Sequence, residues 1–232
     1  NRRFARGLEF GVAWTWSKVL TYNEGDTEGV STQVPIRAWN YGLATFDRTH
    51  ILKINYQWDV PKLPVPNRIL DYVLNYWRLS GITSFISGPP LPVNFATTVA
   101  MDITGSPTDG ARIVVLDNPV LPKSERTFSR FFRTDVFRLP ARGTVGNAAP
   151  TLIRGPGINN FDIALFKDFP FGETRKFQFR CEMHNAFNHT QFSAVDNTAR
   201  FDPQGNQVNT RLGEMTATHP ARRVQLALRF YF

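Results

Sequence analysis

Four histidines and one cysteine are the side chains of this sequence best suited to metal binding or nucleophilic chemistry. The histidines, His50, His184, His189 and His219, are scattered, without metalloprotease spacing or an acidic partner at a diagnostic distance. Cys181 and His184 are three residues apart, and a strand would place them on opposite faces. One cysteine can form neither an internal disulfide nor a Cys-based zinc site. The residues therefore predict no catalytic group, metal or cofactor, and we expect a protein that is not an enzyme.

Basic and aromatic side chains interleave in one segment, a pattern found both in nucleic-acid-binding proteins and in solvated loops. The chain has 27 Lys and Arg against 19 Asp and Glu, a formal net charge of +8. The segment contains Arg126, Phe128, Arg130, Phe131, Phe132 and Arg133. No nucleic-acid-binding fold pattern accompanies it. The sequence therefore favours a positively charged loop facing anionic lipopolysaccharide or anionic ligands, without a nucleic-acid partner.

The composition indicates a folded chain without a transmembrane helix. Hydrophobic residues make up 42% of the 232 positions, and 20 Phe, 5 Trp and 6 Tyr are too many for a disordered chain. No run approaches the roughly 18 consecutive apolar residues of a spanning helix. The sequence begins at Asn1 without an initiator Met. We expect a piece of a longer protein.

Apolar and polar residues alternate in six well-separated runs, which predicts six β-strands. In the last run, five apolar residues at every second position would share one face of a strand, whereas a helix would spread them around its axis. Ile82 and Ile86 interrupt the third run, so the pattern leaves its register open. The runs lie at residues 8–16, 52–58, 77–85, 161–165, 177–183 and 224–232.

The connections between the runs alternate in length. Residues 59–75 and 168–175 are short, rich in Pro or Gly, and predicted to form turns. Residues 19–47, 87–160 and 186–222 are long and polar. Short turns on one side and long extracellular loops on the other are typical of outer-membrane β-barrels.

Alternation alone fits either a soluble β-sandwich or a membrane barrel. The longest runs, at nine residues, match the roughly nine to eleven residues of a strand that crosses a membrane and exceed the shorter strands of sandwiches. Large aromatic residues gather near run ends, as in aromatic girdles, although a core filled with aromatics would also contain them. The predicted girdle residues are Trp14 and Trp16 at one interface, and Tyr56, Trp58 and Trp77 at the other.

The two faces of the predicted strands would meet lipid and lumen. The residues predicted to face lipid are Val224, Leu226, Leu228, Phe230 and Phe232, and those predicted to face the lumen are Gln225, Arg229, Tyr231, Arg180 and Glu182. Six strands are fewer than the roughly eight of the smallest closed barrels, and open edges in lipid are costly. We therefore expect residues 1–232 to supply some of the strands of a larger antiparallel transmembrane barrel. The other strands would come from missing upstream sequence, which the start without Met favours, or from another chain.

Several segments resemble one family of outer-membrane proteins. The ending VQLALRFYF, with Phe232 last, is similar to the C-terminal strand signal that the barrel-assembly machinery recognises. The segments at 46–61, 155–169, 171–192 and 219–232 resemble the last strands of TonB-dependent receptors of the Oar-like kind. In that family an Asn-Ala-Phe-Asn segment ends the penultimate strand and an Arg opens the last, as Asn185-Ala186-Phe187-Asn188 and Arg222-Arg223 do here.

The resemblance implies a function and a location. It implies a barrel of about 22 strands with an N-terminal plug, in the bacterial outer membrane, taking up a ligand with energy delivered through the TonB complex. Residues 1–232 would be the C-terminal portion of this barrel, about six strands, with the plug and the earlier strands outside this chain. The implied partners are outer-membrane lipid, the barrel-assembly machinery, the TonB complex acting through the plug, and a ligand that these residues do not identify. Two alternatives stay open: an extracellular β-sandwich that binds a ligand or saccharide, and a passive porin-like channel.

Overall fold

The structure is a computed structural model that describes residues 2–3, 7–22, 34–106, 110–171 and 174–232. Within these residues it contains seventeen strands, two α-helices and one 3₁₀ helix at Lys123–Glu125. The helices are α1 (Ile36–Asn40) and α2 (Arg68–Leu74). The strands are β1 (Arg2–Arg3), β2 (Leu8–Trp16), β3 (Leu20–Thr21), β4 (Gly42–Leu43), β5 (His50–Asp59), β6 (Trp77–Ile86), β7 (Pro90–Leu91), β8 (Asn94–Thr97), β9 (Val114–Val115), β10 (Phe137–Arg138), β11 (Ile153–Arg154), β12 (Ile158–Phe171), β13 (Arg175–His184), β14 (Phe192–Val195), β15 (Thr198–Phe201), β16 (Met215–Thr218) and β17 (Arg223–Tyr231).

One antiparallel sheet of seven strands dominates the molecule, in the order β1-β2-β5-β6-β12-β13-β17. Its six long strands coincide with the six predicted runs, and each pairs with the next long strand along the chain. The predicted all-β antiparallel fold is therefore confirmed. Among the described residues no pairing joins β17 to β1, so the sheet is open at both edges rather than closed into a barrel.

The structure settles the register of the third run. Strand β6 pairs without a shift with β5 on one side and β12 on the other. Ile82 lies opposite Asn55 and Asp162, and residues directly opposite each other share a face. The two isoleucines that interrupted the pattern therefore lie on the polar face of a regular strand.

Gly81 allows Tyr56 to lie across the sheet. The two residues are directly opposite on β6 and β5. A Cβ atom at Gly81 would come within 2.5 Å of the Tyr56 hydroxyl and 2.7 Å of the Asp162 carbonyl oxygen. Any larger residue at this position would therefore displace the ring or the neighbouring strand.

Connections of different length leave from opposite ends of the sheet. The end with the three long connections is called the long end, and the end with the two short ones the short end. The segment predicted as a turn at 59–75 contains helix α2 instead, because Asn67 Oδ1 caps it by accepting hydrogen bonds from the N–H groups of Ile69 (2.8 Å) and Leu70 (3.3 Å). Strand β12 continues to Phe171, so part of the second predicted turn, from 168 to 171, is strand instead. Residues 172–173 of that turn lie outside the described residues.

The long connections pack together into one body, called the cap, formed by residues 17–22, 34–49, 87–106, 110–157 and 185–222. It contains the five two-stranded sheets of the described chain, including a parallel pair of β8 with β15 that joins the second connection to the third. The buried hydrophobic cluster, with Ile113, Phe132, Phe137 and Phe201 at its centre, lies in the cap and includes no residue of the six long strands. The long connections lie where the sequence predicts them. They were expected to be polar loops, but they also contain the buried hydrophobic cluster of the described residues.

A buried ion pair ties the first connection to the second. Asp47 Oδ2 lies 2.6 Å from an Arg154 guanidinium nitrogen, and Asp47 Oδ1 accepts the N–H of Val19 at 2.8 Å. Burial raises the pKa of Asp47, but these hydrogen bonds and the charges of Arg154 and Arg48 outweigh it, so the pKa lies below its ordinary value. Asp47 is therefore ionised, and its ion pair with Arg154 holds two connections of the cap together.

Candidate functional site

Most apolar residues of the long strands lie on one face of the sheet, called the apolar face. Register places Cys181 directly between Leu165 and Leu226, and continues this face to the first long strand. Leu226 and Leu228 are 64% and 67% exposed. The residues of β13 and β17 on this face are Phe177, Phe179, Cys181, Met183, Val224, Leu226, Leu228 and Phe230. Phe232 follows the last strand, and its ring stacks on that of Phe230 with centroids 5.8 Å apart.

The polar residues of the same strands lie together on the opposite face. Gln225 is directly opposite Glu182, Arg229 opposite Gln178, and Tyr231 opposite Lys176. Arg180 lies on this face opposite Ala227. The sequence therefore assigned all five of its predicted polar-face residues to a common side of the sheet, and Cys181 and His184 lie on opposite faces as predicted.

A hydrogen-bonded network crosses three strands at the short end of the polar face. Asp168 accepts from Lys176 Nζ at 2.6 Å and from Gln178 Nε2 at 2.7 Å. Gln178 Oε1 accepts from Arg180 Nε at 2.7 Å and from the Tyr231 hydroxyl at 3.3 Å, and Arg180 Nη2 donates to Tyr231 Oη at 2.9 Å. Within this network the charged groups of Asp168, Lys176 and Arg180 each have a hydrogen-bond partner, so the network stiffens this end of the polar face.

The sequence did not single out Asp168 and Lys176. Both lie beside a turn, where β12 and β13 extend beyond the predicted runs. Their alternation with Phe169 and Phe177 was the available signal, since it places them on the polar face with Gln178.

The centre of the polar face is an open depression of about 450 Å³. Three carboxylates line it, those of Glu9, Asp162 and Glu182, together with the amides of Asn55 and Gln57. A second depression of about 310 Å³ continues toward the cap, shares Asp162 with the first, and is also lined by the cationic side chains of Lys53 and Arg223. The two depressions of the polar face thus offer donors, acceptors and both signs of charge to a polar solute or polypeptide.

Histidines line both depressions without forming a metal site. The Nδ1 atom of His184 lies 3.7 Å from Asp162 Oδ1, and His219 lines the depression nearer the cap. Among the described residues no group of three His, Cys, Asp or Glu side chains is arranged to hold a metal ion.

The aromatic residues predicted as girdles lie on the apolar face. Trp14 and Trp16 are exposed at the long end, and the Trp14 ring stacks on His50 with centroids 6.0 Å apart. Trp58 and Trp77 lie at the short end. Tyr56 lies further from that end, across Gly81.

The Asn-Ala-Phe-Asn segment forms the turn that leaves β13. Asn185 and Asn188 have positive φ values of 50° and 52°, a conformation that Asn tolerates better than most residues. Asn188 Oδ1 accepts the N–H of Arg222 at 3.0 Å, and Arg223 is the first residue of β17. The segment therefore fixes where the third long connection leaves and rejoins the sheet.

Comparison with protein-family models agrees with this two-faced sheet. Residues 1–225 match the outer membrane beta barrel domain. The chain therefore belongs to the outer membrane beta barrel domain family, and its location is the bacterial outer membrane, in association with lipid. The comparisons with curated proteins and with solved structures found no match. No helix in the described part of the chain is long and apolar enough to span a membrane.

Proposed function

We propose that this chain is the C-terminal part of a TonB-dependent receptor barrel that takes up a ligand across the outer membrane by energised transport. The observation that carries the proposal is an antiparallel sheet with one apolar and one polar face that is open at both edges. An open sheet in lipid leaves unpaired backbone groups, so further strands are needed to close it. The resemblance of the last strands to Oar-like receptors supports a large plugged barrel.

In this proposal the two faces have different partners. The apolar face contacts acyl chains through Val224, Leu226, Leu228 and Phe230, with Phe232 at its end. The tryptophans near the two ends of the strands lie at the two membrane interfaces. The polar face lines the lumen, where Gln225, Arg229, Tyr231, Arg180 and Glu182 face the plug or the passing ligand.

A β-sandwich is not favoured, because a sandwich buries its apolar faces between two sheets. Here the hydrophobic cluster of the described residues lies in the cap, and side chains such as Leu226 on the apolar face are exposed.

Conductance distinguishes a plugged receptor from a passive channel. The whole protein that carries this chain would be purified and inserted into a planar lipid bilayer in KCl. We expect no steady ion current until urea unfolds the plug, and binding of a purified TonB C-terminal domain in calorimetry. A steady open pore without urea, together with no TonB binding, would support the porin-like alternative.

The C-terminal residue tests the proposed assembly partner. Deleting Phe232 from the whole protein should lower its amount in the outer membrane, because the assembly machinery would lose the terminal aromatic group. Phe232→Trp keeps an aromatic end and is the matched control. Quantitative blotting of outer-membrane fractions measures the effect, and normal levels of the deletion variant would refute this role.

A further inference from the structure

Helix α2 carries its apolar side chains on the side facing away from the protein. Ile69 and Val73 are 73% and 57% exposed, and Leu70 and Leu74 are exposed as well. At about 100° per residue, these four positions span an arc of about 140° on the helix surface. A helix that packs on a soluble core turns such a stripe inward, so α2 has the reverse orientation.

The polar side of α2 holds the helix to the sheet. The Tyr72 hydroxyl donates to the Pro170 carbonyl at 2.6 Å. Asp71 accepts from Asn75 Nδ2 at 2.6 Å and from the Tyr76 hydroxyl at 3.1 Å. These bonds fix the rotation of the helix about its own axis, so they hold the apolar stripe in its outward orientation.

The C-terminal end of α2 lies on the apolar face of the sheet. Lys167 and Trp77 are directly opposite each other on that face. The Trp77 Nε1–H donates to the Val73 carbonyl at 2.9 Å, and Lys167 Nζ donates to the same carbonyl at 3.3 Å and to that of Asn75. Carbonyl groups at a helix C-terminus suit a cation. Lys167 is buried, and it is the one charged residue of β12 on this face between Phe161 and Phe171. It therefore connects the helix to the face that meets lipid in the proposed function.

We propose that α2 is an interfacial anchor whose outward stripe, Ile69, Leu70, Val73 and Leu74, is inserted at the headgroup–acyl boundary of the leaflet at the short end. The inference rests on the proposed function, because it takes the apolar face of the sheet as the lipid-facing one. It adds to that function a contact between lipid and a helix outside the strands. The hydrogen bonds of Trp77 and Lys167 to the Val73 carbonyl place the end of the stripe beside that face, which argues for lipid as its occupant. A helix with one apolar and one polar side lies in the interface plane in this manner.

Two cations near α2 agree with a lipid headgroup region. Arg68 opens the helix, with its guanidinium 5.9 Å from the Tyr72 ring centroid, and Lys62 Nζ lies 4.3 Å from that of Tyr76. Both residues are exposed. Basic groups beside an apolar stripe add electrostatic attraction to anionic lipid.

Spin-label accessibility tests the anchor. The whole protein, with Cys181→Ser as background, would be reconstituted in vesicles of phosphatidylethanolamine and phosphatidylglycerol. Single labels at Ile69→Cys, Leu226→Cys and Arg68→Cys report on the stripe, the apolar face and the polar side of the same helix. Power saturation should show labels 69 and 226 several-fold more accessible to oxygen than to a water-soluble nickel chelate, with the reverse at 68.

Label 226, on the apolar face of the sheet, is the reference that separates the anchor hypothesis from the proposed function. Label 226 in lipid with label 69 in water would overturn the anchor and leave the proposed function standing. Both labels in water would overturn the proposed function and the anchor with it. Label 69 shielded from both reagents would mean that a protein surface covers the stripe, which also overturns a lipid anchor.

Hydroxyl-radical footprinting gives the same test on the unlabelled protein, in case a labelled variant fails to insert. In vesicles, Leu70 and Leu74 should be oxidised several-fold more slowly than Leu116, an exposed leucine of the cap. Leu116 is the matched control, because it is the same residue type and no lipid contact is proposed for it. Equal oxidation of the stripe and Leu116 would count against insertion.

Discussion

The cap and the sheet place the same residue type in opposite surroundings. Phe201 in the cap is 0% exposed and belongs to a cluster of buried side chains. Phe230 on the sheet is 48% exposed and touches other rings of the apolar face, including Phe171 and Phe177. The cap therefore follows the rule of soluble domains, with apolar groups inside, and the sheet inverts it.

The difference implies two sources of stability in one chain. Burial of apolar area within the protein stabilises the cap, whether or not lipid is present. In the proposed function the apolar face of the sheet gains that stabilisation from acyl chains, so its stability would depend on the surrounding membrane. Variants in the two regions should therefore differ in size and in lipid dependence.

The largest expected effect is a cavity in the cap. Phe201→Ala should lower the free energy of opening of the cap by about 3–5 kcal/mol, because a fully buried ring leaves a void. Hydrogen exchange at the amides of β15 measures this effect. Phe46→Ala, at an exposed position of the same body, is the control and should change it by about 0.5 kcal/mol or less. If β13 amides open together with the cap, the two regions form one cooperative unit and the comparison fails.

A charge on adjacent residues of β17 should distinguish the two faces of the sheet. Leu226→Arg should cost about 2–4 kcal/mol more than Ala227→Arg, because one side chain would enter the hydrocarbon and the other the lumen. Reversible urea unfolding in lipid vesicles measures both variants. Equal costs would mean that the faces are wrongly assigned.

Removal of the buried charge in the cap should have a smaller effect. Asp47→Asn should cost about 1–3 kcal/mol in the opening free energy of the cap, because Arg154 loses its charged partner. Asp59→Asn, which breaks the half-exposed pair with Arg78 in the sheet, is the control and should cost about 1 kcal/mol or less.

The Asp47 ion pair also gives the cap a pH dependence. Because the folded-state pKa of Asp47 lies below that of the unfolded chain, its contribution is complete above about pH 4 and is lost as the pH falls through the folded-state value. Hydrogen exchange in this range should show protection of the cap falling in the wild-type chain and changing less in Asp47→Asn. The same decline in both would assign the pH dependence to other groups.

The sheet could be predicted from the sequence because a strand repeats every two residues. That period predicted the six runs, and it put Gln225 with Glu182 on one face and Leu226 with Cys181 on the other, as the strand pairing does. It also gave the alternation of short and long connections. The pairing of neighbouring strands then settled what the pattern left open, such as the face of the sheet on which Ile82 lies.

The cap, helix α2 and the role of Lys167 could not be predicted in the same way. Residues of the cap core, such as Phe132 and Phe201, lie far apart along the chain without a period, so only the folded connections bring them together. Helix α2 is barely two turns long and follows several prolines, which favoured a turn. The signal that could have found it was Asn67 as a cap before two pairs of apolar residues.

The parallel pairing of β8 with β15 constrains the order in which the molecule is completed. The partners are Asn94–Thr97 and Thr198–Phe201, so this small ladder closes a loop of about one hundred residues. Such distant contacts are slow to form, because a large loop loses much chain entropy before the contact rewards it. The cap should therefore fold late, after the hairpin of β12 and β13 has formed, and remain open to proteases in the meantime.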